Sequence, residues 1–289
     1  MTPFDVIQPA ERPGDAPAFT VDERGRLPQG AADAIARDGV VCLKNVLGPD
    51  EIAVLRQAVD AAVEAPSENG YRVANPGDPA FFFTDYNLWQ RFDGVKRVAF
   101  ESQIADLAAS LVASKGMTLY FDNIFVKEGG STNVAPWHED AMYLRMNGTV
   151  LNFWIALDPV PEDSAVLFKR GSHKRDCPKY LAVHFDKAKG YFDGLTSGRV
   201  PMPDFQEIED GFETVWWAAE PGDAVVFTTR TLHASLPNRQ PNRRRALGFL
   251  LLADDVTFDE DPGVSDPPFR GENLVHGGAP QCASFPRLR

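Results

Sequence analysis

Apolar and polar positions follow two different periods along this chain. From Gly30, the segment AADAIARDGVVCLKNVLGPDEIAVLRQAVDAAVEA spaces its apolar residues for a short helix, a turn at Asp38-Gly39, a strand VVCLKNV and a longer helix opened by Gly48-Pro49-Asp50. A further helix is expected in SQIADLAASLVAS, where Ile104, Leu107, Ala108 and Leu111 share a face. Beyond Met117 the pattern is that of strands. MTLYFDNIFVKE, TVLNFWIALD, SAVLFKR, DAVVFTT and RALGFLLLA are separated by clusters of Pro, Gly, Asn and Asp. Helices followed by a run of strands predict an α+β protein with a mainly β core, a sandwich or barrel, and helices packed on one outer face. Residues 1–27, rich in Pro, Gly and charge, predict an extended arm with little structure of its own. No long polar or Gly/Ser-rich linker interrupts the 289 residues, so one domain over 1–289 is expected.

Charge narrows the classes of partner. With 29 basic against 41 acidic residues the net charge is −12, which disfavours a nucleic-acid backbone or an anionic membrane surface and points to a small-molecule partner. The longest apolar runs fall well short of the roughly 20 residues that a membrane span needs. MTPFDVIQPAERPGD carries acids and prolines where a signal peptide needs a basic start and an apolar run. Cys42, Cys177 and Cys282 are odd in number and widely spaced, so they read as free thiols rather than a disulfide framework or zinc knuckle. A cytoplasmic protein is expected; the pattern fixes no oligomeric state.

The stretch Pro136-Trp137-His138-Glu139-Asp140-Ala141-Met142-Tyr143 sets two potential metal ligands one residue apart. In a strand, residues i and i+2 share a face, so His138 and Asp140 reach one ion while Glu139 points away. Pro136 disfavours a preceding helix, and Met142 and Leu144 continue the alternation, so a strand is predicted here. An HxD pair alone says little, the plain alternative being a solvated turn. Among five histidines, however, His233 closes PGDAVVFTTRTLHAS, where a Pro-Gly-Asp turn feeds an apolar strand that delivers a histidine at its far end. Two His and one carboxylate leave three faces of an octahedral metal open, the arrangement of non-haem Fe(II) oxygenases. Zinc fits less well, since its structural sites are closed and no sulfur ligands are at hand.

With DGVVCLKNVLGPDEIAVLR, WHEDAMY, LNFWIALD, FKRGSHK, PGDAVVF and LHASLPNRQPNRRRALGF in this order, the chain resembles the phytanoyl-CoA dioxygenase family of Fe(II)- and 2-oxoglutarate-dependent oxygenases from about Gly30 to Leu252. The resemblance implies a double-stranded β-helix (jelly-roll, cupin-like) core, with His138, Asp140 and His233 as iron ligands and catalytic centre, and with 2-oxoglutarate and O2 as co-substrates. It also implies an arginine about a dozen residues after the distal histidine that binds the far carboxylate of 2-oxoglutarate. Arg243, Arg244 and Arg245 compete for this role. The family's offset and the small residue two positions later select Arg244, and strand alternation agrees, placing Arg244 on one face with Ala246 and Gly248. The guanidinium fork matches a carboxylate bidentately. An isolated basic triplet in so acidic a chain reads as one buried anchor and two surface charges.

Further 2-oxoglutarate contacts carried over from the resemblance are Lys127, Trp154, His173 and Ser235. Trp154 reads equally as core and Lys127 as a solvated strand-end lysine. The family's glycine in the turn after LNFWIALD is replaced here by PEDSAVLF, with Ser164 and Ala165, so that turn is expected to be reshaped. The cluster FFFTDYNLW, residues 81–89, is either core or substrate entrance. Tyr143, Asn123 and Trp217 are further pocket candidates, while His184 and His276 read as structural or exposed. The implied reaction is hydroxylation of an unactivated C–H bond of a small organic substrate with release of succinate and CO2. Related halogenases lack the carboxylate, so Asp140 favours hydroxylation. Two other classes compete: a non-redox metal enzyme on a cupin-like barrel, such as an isomerase, which has no use for Arg244, and a non-catalytic binding barrel, which needs neither Asp140 nor His233.

Overall fold

The computed structural model describes residues 6, 16–75, 77, 80–185, 189–190, 192, 198–204, 207–208, 211–260 and 265–288. In chain order these form β1 (Ala18–Thr20), α1 (Ala31–Asp38), β2 (Val40–Lys44), α2 (Pro49–Glu64), β3 (Tyr71–Val73), β4 (Phe82–Tyr86), α3 (Asp93–Glu101), α4 (Ile104–Leu111), β5 (Thr118–Lys127) and β6 (Ala135–His138). There follow β7 (Met146–Asn147), β8 (Val150–Ala156), β9 (Val166–Lys169), β10 (Thr214–Val215), β11 (Ala224–Thr228), β12 (His233–Ser235), β13 (Arg244–Leu252) and β14 (Thr257–Phe258). The large sheet runs β1-β2-β11-β8-β13-β5-β4-β3, and a smaller one runs β10-β9-β12-β6. This is the jelly-roll core expected from the sequence.

Alternation along each strand decides what the large sheet covers. On β13, Leu247, Phe249 and Leu251 join Phe153 and Ile155 of β8 in one apolar layer, against Leu55 and Val59 of α2, Val95 and Val98 of α3 and Leu107 of α4. Fully burying a side chain of this size stabilises by about 1.5–3 kcal/mol, so this layer anchors all four helices to one face. The other face carries Trp154, Ala156, Val225, Phe227 and Ala246, which pack towards the small sheet. FFFTDYNLW splits the same way: Phe83 is fully buried in the helix layer, while Phe82, Thr84 and Tyr86 line a cavity.

Local chemistry sets the element ends. Pro49 opens α2, and the Glu51 carboxylate accepts the Gly48 N–H at 2.8 Å. Before β11 the Pro-Gly-Asp turn needs its glycine, since Gly222 has φ +96° and an added Cβ would lie 2.3 Å from the Leu47 carbonyl oxygen. Asp223 then accepts from Lys44 Nζ and the Asn45 and Glu220 N–H groups, tying that turn to β2.

Three expectations are adjusted. Of the arm, residues 1–5 and 7–15 lie outside the described residues, but Ala18–Thr20 is a strand pairing in parallel with Cys42–Lys44 at the edge of the large sheet. Helix α3, in FDGVKRVAFE, was not expected: its apolar stripe of Val95, Val98 and Ala99 is too short to signal a helix without the layer it docks on. The strand expected to run through Met142 and Leu144 ends at His138, and Asp140–Tyr143 is a 3-10 turn. Its partner strand runs out there, because β12 begins at His233, directly opposite His138. The Ala141 N–H instead donates to the Thr229 carbonyl at 2.9 Å.

Candidate active site

His138 and His233 face each other across the β6–β12 pair, with ring centroids 4.1 Å apart. His138 Nδ1 lies 2.6 Å from the Pro136 carbonyl and His233 Nδ1 lies 3.0 Å from that of Thr231. With Nδ1–H donating in each ring, both Nε2 lone pairs are left free to bind a metal. Asp140 completes the set, its Oδ1 3.6 Å from His138 Nε2 and 3.4 Å from His233 Nε2. These three form a candidate metal group, with ligand atoms all within 4.8 Å of one another. Burial pushes His138 down to about 3, helped by the neighbouring His233, and pushes His233 down to about 4. Both imidazoles are therefore neutral at physiological pH, the form a metal ligand requires.

The short turn is held from both sides. Asn152 on β8 donates Nδ2–H to Asp140 Oδ2 at 3.0 Å. Glu139 points the opposite way, as the i, i+2 rule expects, and is fully buried. Its carboxylate takes Arg175 at 2.6 Å, Arg230 at 3.5 Å and the Tyr180 N–H at 3.1 Å. A buried carboxylate with two guanidinium partners fixes the backbone between the two ligands.

The triad opens into a cavity of about 610 Å³. At one end lie two buried cations. Lys127 and Arg244 are opposite one another in the β5–β13 register, 1% and 3% exposed. Lys127 Nζ donates to Ser235 Oγ and the Leu236 carbonyl, both at 2.7 Å, and Arg244 Nη1 donates to the Ser164 carbonyl. Neither pairs with a carboxylate among the described residues, and Arg244 Nε is buried without any partner. Burial lowers Arg244 to about 10, and burial beside Arg244 pushes Lys127 well below its ordinary value. Two desolvated cations and an orphaned donor at the end of a cavity call for an anion with several acceptor oxygens. The flanking arginines behave as the surface charges expected: Arg243 pairs with Glu128 at 2.7 Å, and Arg245 with Asp158 at 2.8 Å and Asp60 at 2.7 Å.

Of the residues implied as 2-oxoglutarate contacts, Lys127, Trp154, Ser235 and Arg244 line the cavity, as do Tyr143 and Asn123. His173 does not. It sits in the 3-10 turn Ser172–Lys174, its Nε2 3.3 Å from the Ala36 carbonyl and its ring against Gly39. The Gly-Ser-His turn buttresses the α1–β2 corner, with Gly171 N–H donating to the Asp38 carbonyl and the imidazole packed against Gly39, away from the cavity. Trp217 is also outside the cavity, donating Nε1–H to the Ala16 carbonyl. Conversely His184, read as structural or exposed, lines the cavity and stacks on Phe192 with centroids 3.5 Å apart. Sequence reasoning also missed Asn152, whose only signal is a polar residue on the inner face of an otherwise apolar strand. The turn lacking the family's glycine forms a 3-10 turn at Glu162–Ser164 without a positive φ, so Ser164 fits and supplies the carbonyl that holds Arg244.

Known proteins share the family and the fold of this chain. The curated methylphosphonate hydroxylase of Gimesia maris is 27% identical over 174 residues, 58% of either chain, so the chain spans little more than half the length of that relative. Two solved structures share the fold. The non-haem α-ketoglutarate-dependent carbocyclase SnoK of nogalamycin biosynthesis is 22% identical with a TM-score of 0.71, over 91% of this chain and 97% of that one. EctD from S. alaskensis, solved with 2-oxoglutarate and 5-hydroxyectoine, is 18% identical with a TM-score of 0.66, over 97% of each. His138, Asp140 and His233 fit an iron ion, and Lys127 with Arg244 fit the dicarboxylate 2-oxoglutarate. The sequence model of the phytanoyl-CoA dioxygenase family matches residues 35–246, and the chain belongs to that family.

Proposed function

We propose that this protein hydroxylates an unactivated C–H bond of a small organic substrate, with 2-oxoglutarate leaving as succinate and CO2. The observation that carries this reading is the pair of buried cations, without a carboxylate partner among the described residues, in the same cavity as a two-histidine, one-carboxylate triad. A non-redox metal site or a binding barrel has no use for Arg244 and Lys127 held this way. When bound, Fe(II) supplies the oxidative chemistry with O2 and 2-oxoglutarate. The chain supplies the rest. Neutral His138 and His233 present Nε2, Asn152 orients the carboxylate of Asp140, and Arg244 with Lys127 anchors the far end of the co-substrate. Related halogenases lack this carboxylate, so the presence of Asp140 favours hydroxylation over halogenation, and the hydroxylase named among the relatives supports the same outcome.

The test supplies the protein with Fe(II), 2-oxoglutarate, ascorbate and candidate substrates. Expected are anaerobic binding of 2-oxoglutarate to the iron-loaded protein, succinate formation in air and a product heavier by one oxygen atom. Asp140→Ala should lose the succinate and also the rise in unfolding temperature that metal gives, worth about 2.7 kcal/mol at a hundredfold excess over Kd. Absence of both 2-oxoglutarate binding and succinate overturns the oxygenase reading. A ring closure or epimerisation without added oxygen overturns hydroxylation alone.

A further inference from the structure

The cavity has a second polar end that co-substrate binding leaves unused. On β13 the inward side chains run from Arg244 to Leu250, whose β5 partners are Lys127 and Phe121. At about 3.3 Å per residue, Leu250 lies roughly 20 Å along the strand from Arg244. Tyr86, opposite Asn123 at the end of β4 and edge-on to Phe121 at 6.0 Å, belongs to that far end. Asp266 is brought there from the C-terminal segment by its N–H, which donates to the Tyr143 carbonyl at 3.4 Å. Its carboxylate lines the cavity and accepts from the Tyr86 hydroxyl, which also contacts that of Tyr71.

No cation pairs with Asp266 among the described residues. Arg72 turns its guanidinium to the Val63 carbonyl at 3.0 Å and over the Phe81 ring at 4.7 Å, Lys189 is exposed at the rim, and Arg244 and Lys127 occupy the opposite end. Burial raises the Asp266 carboxyl to about 6, so it is mostly ionised at neutral pH. Between it and the triad, Asn123 Oδ1 and Asn152 Oδ1 line the floor without any partner, on side chains 8% and 2% exposed. The Asn152 amide is oriented by its donation to Asp140, which leaves its Oδ1 as a pure acceptor. The carboxylate of Asp266 and the two amide oxygens accept hydrogen bonds or favour positive charge, the Thr84 hydroxyl beside them can donate or accept, and Tyr71, Tyr86, Phe121 and Tyr143 add aromatic wall.

We propose that this end binds a protonated amine, so that the enzyme acts on small amine-bearing substrates, with Asp266 as the specificity-determining residue. An ammonium offers three donors to the Asp266 carboxylate and the amide oxygens, and cation–π attraction to the tyrosine rings adds to them. A neutral hydroxyl supplies one donor and leaves the half-buried charge uncompensated. The inference rests on the oxygenase reading only in assigning the Arg244 end to the co-substrate. Amine oxidation itself is no part of it, since the amine serves as a handle.

The test measures binding to the full chain loaded with Fe(II) and 2-oxoglutarate under argon, by calorimetry, with three probes of one shape: phenethylammonium, 2-phenylethanol and 3-phenylpropanoate. Phenethylammonium should bind at least about tenfold tighter than the alcohol, and the carboxylate weakest. Asp266→Asn should erase the preference for the ammonium while leaving the affinity for 2-oxoglutarate unchanged. Equal binding of ammonium and alcohol, no ammonium binding to a chain that binds 2-oxoglutarate, or a preference that survives Asp266→Asn overturns the assignment. The wild-type comparison needs no variant, so a poorly folding Asp266→Asn leaves the proposal testable. Failure of 2-oxoglutarate to bind at all is a separate result that counts against the oxygenase reading instead.

Discussion

Arg244 shows how one side chain's surroundings set its use. It is buried at the end of a strand, hydrogen-bonded to the Ser164 carbonyl, with Nε unpartnered and no carboxylate beside it among the described residues. Arg244→Ala should weaken 2-oxoglutarate binding by about 2–3 kcal/mol, or about 30- to 150-fold, as read by anaerobic calorimetry. His173→Ala should leave that affinity unchanged, because His173 faces Ala36 and Gly39 outside the cavity. The pH dependence has a definite sign. A base whose pKa is lowered to about 10 stays charged below that value and loses its proton above it. The proposed contribution of Arg244 to 2-oxoglutarate binding should therefore be full at neutral pH and weaken as pH rises through 10, as read by calorimetry across that range. Burial beside Arg244 pushes Lys127 downward in the same sense.

At the scale of the element, β13 does two jobs by alternation. Leu247, Phe249 and Leu251 face the helices, while Arg244, Ala246, Gly248 and Leu250 face inward. Gly248 matters for its missing side chain: a Cβ there would lie 2.5 Å from Asn123 Oδ1 and 2.9 Å from Asn152 Oδ1. Gly248→Ala should push the Asn152 amide off Asp140 and weaken metal binding, visible as a smaller metal-induced rise in unfolding temperature. A metal-induced rise equal to that of the wild type would show that Asn152 does not position the ligand. The HxD element teaches a related lesson. Its strand stops at His138 because β12 begins only at His233 opposite it, and the following turn is fixed by Glu139 buried between Arg175 and Arg230. Those partners lie 36 and 91 residues away along the chain, so no local pattern announces them.

At the scale of the molecule, one sheet separates a structural layer from a chemical one. Phe153 is fully buried on the helix side of β8, with Asn152 and Trp154 on the other side. Phe153→Ala should cost about 3–5 kcal/mol of stability, measured by denaturant unfolding, while 2-oxoglutarate affinity at low temperature stays near that of the wild type. Periodicity alone determined the strands β2, β5, β8, β9, β11 and β13 and the helices α1, α2 and α4, because each carries enough apolar residues at one period to bury a face unaided. The triad and Arg244 could be named from the sequence only through the family resemblance, which supplied the offset that spacing alone left open among Arg243, Arg244 and Arg245. Tertiary structure decided what spacing cannot carry. It turned Asp140 with a 3-10 turn, moved His173 out of the cavity and His184 into it, and brought Asp266 from the C-terminal segment to Tyr86 on β4. The physical reason is that secondary structure follows from the period of burial along a few residues. A binding site depends instead on which distant strands become neighbours, and on which buried polar groups are then left without partners.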